Sequence, residues 1–250
     1  MANNRIKITP DFFDSKKVDA FFSTRNGGYS QKPYDSMNVG FHVGDDKQNV
    51  IRNRNKLFAS HKNLVLPINL TQQHSDKVVV LNKHSDLGLN YFGDAVYTKL
   101  IGVPCAVMTA DCVPILLSSI DGNEIAACHA GWKGLLSGVI ENTLECFSSP
   151  KNQVIAWIGP SISSKFFEVK NDVVKLFEEK FSNYNYRVIS FKSGKFFVDM
   201  QYATEILLLR AGVKKIKQSR MCTYENRETF FSYRRDHVCG RHFSSIVKIS

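Results

Sequence analysis

The chain has 250 residues, 43% of them apolar and 12% aromatic, which is ample for a substantial buried core. A formal charge of +10 favours anionic partners, but the basic residues are spread along the chain without a nucleic-acid-binding pattern, so nucleic acid is not read as a partner. No apolar run reaches the roughly 18 residues that a membrane span requires. The N-terminus MANNRIKITPDFF lacks the apolar centre of a signal peptide, and the six cysteines lie mostly within apolar runs, so a reduced, cytoplasmic protein is expected.

In chain order, residues 18–24 (VDAFFST) predict a strand that enters the turn Arg25-Asn26-Gly27-Gly28. A second Gly/Asp turn at Gly40–Asp46 leads to a helix over about 48–60, with Val50, Leu57 and Phe58 inward and Arg52 and Arg54 elsewhere. The polar turn Gln72-Gln73-His74-Ser75-Asp76 precedes a strand at Val78–Leu81. Short β-rich runs follow in VYT, CAVMTAD, VPILLSSI, EIAACHA and VIAWIGP, whereas helical patterns cover only 135–147, 171–181 and 201–211, the last ended by Gly212. Gly159-Pro160 predicts a turn and Phe167-Glu168-Val169 a helix approach. A strand near Lys214–Ser219, a polar-aromatic loop at Cys222–Arg235 and a strand at Ser245–Ile249 complete the chain. No linker, repeat or low-complexity segment interrupts it, which predicts one domain over 1–250. Strands outnumber helices too strongly for a β-α-β wind, so the expectation is an α+β fold of mixed sheets covered by helices.

Cys112 and His129 each stand near the end of an apolar strand-like run, and His74 stands in the upstream polar turn. Two histidines and a thiolate are an accepted ligand set for a catalytic zinc ion with an open position. The same Cys112 and His129 would also serve as nucleophile and base of a cysteine hydrolase, or as a buried pair without chemistry. The segment Gly131-Trp132-Lys133-Gly134 opens a helix, so its backbone N–H groups and Lys133 offer a phosphate cradle. In Phe230–Arg235 aromatics interleave with Arg234 and Arg235, which suits stacking on a base or clamping an anion, and Arg25-Asn26 repeats that argument at the first turn. His237, Cys239 and His242 crowd one apparent turn and are not read as a site; His42, His61 and His84 read as surface residues. Phosphate-loop, dinucleotide, nucleophile-elbow, H-E-x-x-H and zinc-deaminase patterns are absent.

Over nearly its whole length the chain resembles the laccase-domain or multicopper polyphenol oxidase-like family, whose members are also called purine nucleoside phosphorylase-type or peptidoglycan editing factor proteins. The segments FFSTRNGGYS, SMNVGFHVGDD, TQQHSD, GDAVYT, MTADCVPILL, HAGWKG, AWIGPSI, FFEV, CTY and FFSYRRD carry the resemblance, in the family's order. It implies a layered α/β/β/α sandwich and zinc-dependent phosphorolysis of purine nucleosides, with adenosine deamination as a side activity. It also implies that His74, Cys112 and His129 are zinc ligands and catalytic residues. Arg25, Asn26, Lys133 and Arg234 are then the candidates for phosphate and ribose contacts. Two other activities accompany the family's names: copper-dependent phenol oxidation and editing of peptidoglycan precursors by a metal or cysteine hydrolase. With seven histidines and no His-x-His pair, the chain is poorly supplied for a multinuclear copper cluster. Three positions depart from the family pattern: Ser75 replaces a glycine, which predicts a strained positive φ there; Lys133 replaces an arginine; and Cys239 replaces the threonine of Thr-Gly-Arg.

Overall fold

The computed structural model describes residues 5–14, 16–59, 65–84, 87, 89–182 and 185–250; His61 lies outside the described residues. Strands β1 (Lys7–Ile8), β2 (Val18–Ser23), β3 (Asn69–Thr71), β4 (Val78–Leu81), β5 (Asn90–Phe92), β6 (Ala95–Thr98), β7 (Cys105–Thr109), β8 (Val113–Ser119) and β9 (Ile125–Ala130) occupy the first half. The second half adds β10 (Val154–Ile158), β11 (Glu168–Val169), β12 (Ile189–Lys192), β13 (Lys195–Val198), β14 (Lys215–Gln218) and β15 (His242–Lys248). The helices are α1 (Lys47–Phe58), α2 (Trp132–Ser137), α3 (Val139–Glu145), α4 (Asn171–Lys180), α5 (Asn185–Val188), α6 (Met200–Arg210) and α7 (Tyr233–Asp236).

A six-stranded mixed sheet in the order β14-β10-β8-β9-β6-β4 packs on a four-stranded sheet in the order β1-β2-β15-β7. Every residue of β8 and β9 is buried, as expected of strands covered on both faces, which explains their near-continuous apolar runs. Phe22, Val107, Leu116, Ala127, Trp157 and Ile246 fill the space between the sheets. On the outer face of the six-stranded sheet, Leu135, Ile140 and Leu144 join Phe177, Ile206 and Leu207 in a second core beneath α2, α3, α4 and α6. On the outer face of the four-stranded sheet, Leu57 and Phe58 of α1 pack on Phe21, Ala106 and Phe243. The layers therefore run helix, sheet, sheet, helix, in agreement with the expected α/β/β/α sandwich. Among the described residues no helix is long and apolar enough to cross a membrane.

Local chemistry sets several boundaries. Asp46 accepts from the Asn49 amide at 2.9 Å and starts α1, and Asp199 accepts from the Tyr202 amide at 2.9 Å and starts α6. The helix predicted over 135–147 is two helices, because Gly138 takes φ 103°, a conformation costly for any residue with a Cβ, and breaks the hydrogen-bond ladder between α2 and α3. Glu168-Val169 is a strand paired with β13 rather than a helix approach. The final strand begins at His242, three residues earlier than predicted, because it pairs with β7 as far as the His242–Thr109 register.

Candidate metal centre and adjoining cavity

Sheet register brings the chemistry together. Antiparallel pairing places Pro114 opposite His129 and Cys128 opposite Ala95, so Cys112, His129 and Asp94 emerge at one end of the six-stranded sheet. Parallel pairing of β4 with β6, Val78 opposite Ala95, brings the turn carrying His74 to the same end. The ligating atoms of His74, Cys112 and His129 lie within 4.8 Å of one another, and among the described residues this is the one group of its kind. Cys112 Sγ is 3.7 Å from His74 Nε2, and the two imidazole rings meet edge to face with centroids 4.8 Å apart.

Asp94, fully buried, organises this group. Its carboxylate accepts from the amides of Gln73, His74 and Ser75 at 3.1, 3.0 and 2.7 Å, from the Ser75 hydroxyl at 2.7 Å and from His129 Nδ1 at 2.8 Å. Engaging Nδ1 leaves the other ring nitrogen of His129 for Cys112, as ligand histidines require. Burial alone would raise the Asp94 pKa, but the bonds from His129 and Ser75 prevail and hold it at about 2. The positive φ expected at Ser75 falls instead on His74, at 57°, where the amide bonds to Asp94 hold the turn.

Cys112 is set by a second carboxylate. Asp111 takes φ 95° and accepts from the Thr223 hydroxyl at 2.6 Å, the Ser232 hydroxyl at 3.0 Å and the Arg234 amide at 2.6 Å. The CTY and FFSYRRD segments thus act on the cysteine through its neighbour. Burial pushes the Cys112 thiol upward, yet the adjacent imidazoles of His129 and His74 outweigh it and bring it to about 6. His129 moves oppositely: burial disfavours its charge, while Cys112 and Asp94 raise it to about 9. The pair is a thiolate beside an imidazolium, and a metal ion taking both donors would displace the imidazolium proton.

The glycines of HAGWKG serve close packing. A Cβ on Gly131 would lie 2.3 Å from His74 Cδ2, and one on Gly134 would lie 2.7 Å from the Ser75 carbonyl oxygen. α2 has six residues and its N-cap Gly131 is buried against His74, so this helix start packs on the turn that carries His74.

A cavity of about 810 Å³ opens on His74, Cys112 and His129. None of Arg25, Asn26, Lys133 or Arg234 lines it. Arg25 donates to the Asp35 and Arg227 carbonyls and pairs with the Asp35 carboxylate at 3.4 Å; Asn26 donates to the Glu228 carbonyl. Arg234 donates to the Phe166 and Glu168 carbonyls, and exposed Lys133 lies over its neighbour Trp132. The polar groups of Arg25, Asn26 and Arg234 tie distant segments of the chain together. The cationic residues that do line the cavity are Arg54 and Arg241, with His42 beside them. Arg54 was expected off the core face of α1, but its spacing from Val50, Leu57 and Phe58 puts it on that face, buried. His42 and His84 are both exposed, as expected, and His42 also stands at the rim of the cavity. His237, Cys239 and His242 do not converge: His237 is exposed, Cys239 is buried beside Arg241, and His242 sits among Phe22, Phe230 and Phe231, accepting from the Phe231 amide at 2.8 Å. Asp94 was missed as a functional residue, although a carboxylate at the head of an apolar strand was the available signal.

Comparison with known proteins identifies the family of the chain. The sequence matches the family described as multi-copper polyphenol oxidoreductase laccase over residues 19–249. It is 41% identical over 242 residues to a Haemophilus influenzae protein named purine nucleoside phosphorylase, covering 96% of this chain and 98% of that one. It is 40% identical over 239 residues to purine nucleoside phosphorylase YfiH of Escherichia coli, covering 96% and 97%. Among solved structures, protein NMB0706 of Neisseria meningitidis superposes with a TM-score of 0.91 at 38% identity, covering 98% of this chain and 100% of that one. YlmD of Geobacillus stearothermophilus superposes with a TM-score of 0.86 at 28% identity, covering 96% and 100%. The chain belongs to the multi-copper polyphenol oxidoreductase laccase family.

Proposed function

We propose that the protein is a zinc-dependent purine nucleoside phosphorylase, cleaving the glycosidic bond of adenosine or inosine with phosphate to release the base and ribose 1-phosphate. The observation that carries this reading is the His74–Cys112–His129 donor set at the head of the cavity, in a chain about 40% identical over 96% of its length to proteins bearing that name. The donors fit a zinc ion: one thiolate, and two imidazoles of which His129 is oriented by Asp94. Bound there, zinc supplies Lewis acidity towards an oxygen in the cavity. The chain's own residues do the positioning. Asp94 holds His129 and the His74 turn, Asp111 holds Cys112, and the exposed rings of Phe41 and Tyr233 on the cavity wall provide stacking surface for a base. The donor set is a single three-ligand group among the described residues, which favours a mononuclear zinc site over a multinuclear copper one. All six cysteines are free thiols, which supports a reducing, cytoplasmic setting.

The test is elemental analysis of untreated protein together with base release from inosine and adenosine, with and without phosphate. Zinc near one per chain with phosphate-dependent release of hypoxanthine or adenine is expected. Well-folded, zinc-loaded protein that releases no base overturns the reading, and full copper occupancy with phenol oxidation replaces it. Conversion of adenosine to inosine in the same assay reports deamination separately.

A further inference from the structure

We infer that Arg54 and Arg241 form the subsite that binds the oxyanion co-substrate, inorganic phosphate, on the cavity wall they share with the metal ligands. The identity of the anion rests on the phosphorolytic reading above; the existence of the subsite does not.

The two arginines are held on either side of one residue: the Val39 amide donates to the Arg241 carbonyl at 3.2 Å, and Arg54 Nε donates to the Val39 carbonyl at 2.9 Å. Arg54 is only 7% exposed. Its guanidinium lies between the rings of Phe41 and Phe243, 4.2 and 5.0 Å from their centroids, and Nη1 donates to Asn69 Oδ1 at 3.2 Å. Among the described residues Nη2 has only the Met108 sulfur, at 3.7 Å, a weak acceptor. Arg241 is clamped through Nη1 to the Cys239 and Gly240 carbonyls at 3.0 and 3.1 Å and lies over Tyr233, while its Nε and Nη2 make no hydrogen bond among the described residues. Neither arginine has a carboxylate partner among the described residues.

A buried guanidinium without a counter-charge is costly unless an anion joins it. Here two planar forks, each held by backbone carbonyl oxygen and aromatic rings, belong to residues that line the same cavity. That arrangement matches the oxygens of a phosphate, which takes charge-assisted bonds from guanidinium groups. The positive field is felt by the third neighbour: burial, and then Arg241 and Arg54, lower the pKa of His42. Gly40 belongs to the device as well, since a Cβ there would stand 3.0 Å from Arg241 Cγ and displace its stem. The acceptor requirement of such a site and the absence of an internal carboxylate point to a ligand that arrives from solution.

The experiment uses zinc-loaded full-length protein and the variants Arg241→Gln and Arg54→Lys, the second keeping charge but losing the fork. Binding of inorganic phosphate is followed by thermal shift, with acetate as the comparison anion, and phosphorolysis is followed as KM for phosphate and for inosine. Both variants are expected to weaken phosphate binding at least tenfold and to raise KM for phosphate by the same factor, with KM for inosine within threefold. Because Arg54 is buried, Arg241→Gln decides the matter if the other variant unfolds. Phosphate binding within twofold of the parent in Arg241→Gln overturns the subsite, as does its loss in Lys133→Ala with retention in Arg241→Gln. Equal stabilisation by acetate overturns the assignment to phosphate. Arginine-dependent phosphate binding without any base release upholds the subsite while refuting the phosphorylase reading. Phosphorolysis with an unchanged KM for phosphate in Arg241→Gln does the reverse.

Discussion

Asp94 Oδ1 accepts the Nδ1 proton of His129 at 2.8 Å, 35 residues away in the chain, while the same carboxylate gathers the three amides of the His74 turn. One buried carboxylate therefore sets the orientation of the His129 ring and the backbone of the His74 turn. In the proposed metal site, metal affinity and local stability would be coupled through it.

Asp94→Asn leaves one carbonyl oxygen for five donors and introduces an amide that competes with them. The expected loss is about 2 kcal/mol or more in urea unfolding, with zinc affinity reduced about 10- to 100-fold in chelator competition. Unchanged chelator resistance in the variant would show that His129 is oriented by other means.

Gly131→Ala forces a methyl group against His74 Cδ2, which a Cβ would meet at 2.3 Å. The backbone is otherwise ordinary for alanine, at φ −68°, so the fold should survive while the first ligand is displaced. The measurement is metal content of the purified variant, expected to fall well below half of the parent's, alongside an unaltered far-ultraviolet circular dichroism spectrum.

In metal-free protein the Cys112 thiol should ionise near pH 6, well below an ordinary cysteine, because His129 and His74 offset the penalty of burial. Iodoacetamide alkylation after chelation, followed by mass spectrometry against pH, should show half-maximal rate there. His129→Gln removes the larger of the two favourable partners and should move the midpoint up by more than one unit. A midpoint above 8 in the parent would contradict the thiolate–imidazolium pair.

His242 supplies a pH dependence of stability. Burial drives its pKa from 6.5 to about 3, so the imidazole is neutral in the fold and protonates more readily in the unfolded chain. The unfolded state then binds the extra proton between pH 6.5 and 3, and stability is full above 6.5 and declines as pH falls through that window. The slope attributable to this residue approaches 1.4 kcal/mol per pH unit, as ~1.36 kcal/mol accompanies each unit of pKa. His242→Gln should be less stable at pH 7 and show a shallower decline in urea unfolding from pH 6.5 to 4. Parallel curves for parent and variant would remove His242 as the source.

Strand and helix identity was legible in residue patterns where burial is two-sided or one-faced: β8 and β9 read as continuous apolar runs because helices cover one face of their sheet and a second sheet covers the other. The α+β class followed from the balance of such runs, and the candidate metal ligands from residue type and resemblance. Patterning reports how deeply a residue is buried; it does not report which distant residue it meets. Hence the partners of Asp94 and Asp111, both polar residues beside strand ends, became legible only in the folded chain, because a hydrogen bond across 35 or 112 residues is a consequence of tertiary structure. The same limit governs the cations. Arg25, Lys133 and Arg234 stand in suggestive local sequence, yet a guanidinium or ammonium reaches whichever acceptor the fold offers first, and for both arginines those acceptors include backbone carbonyls of distant segments. Only the packing of α1 against β15 places Arg54 and Arg241 on one cavity wall with donors to spare.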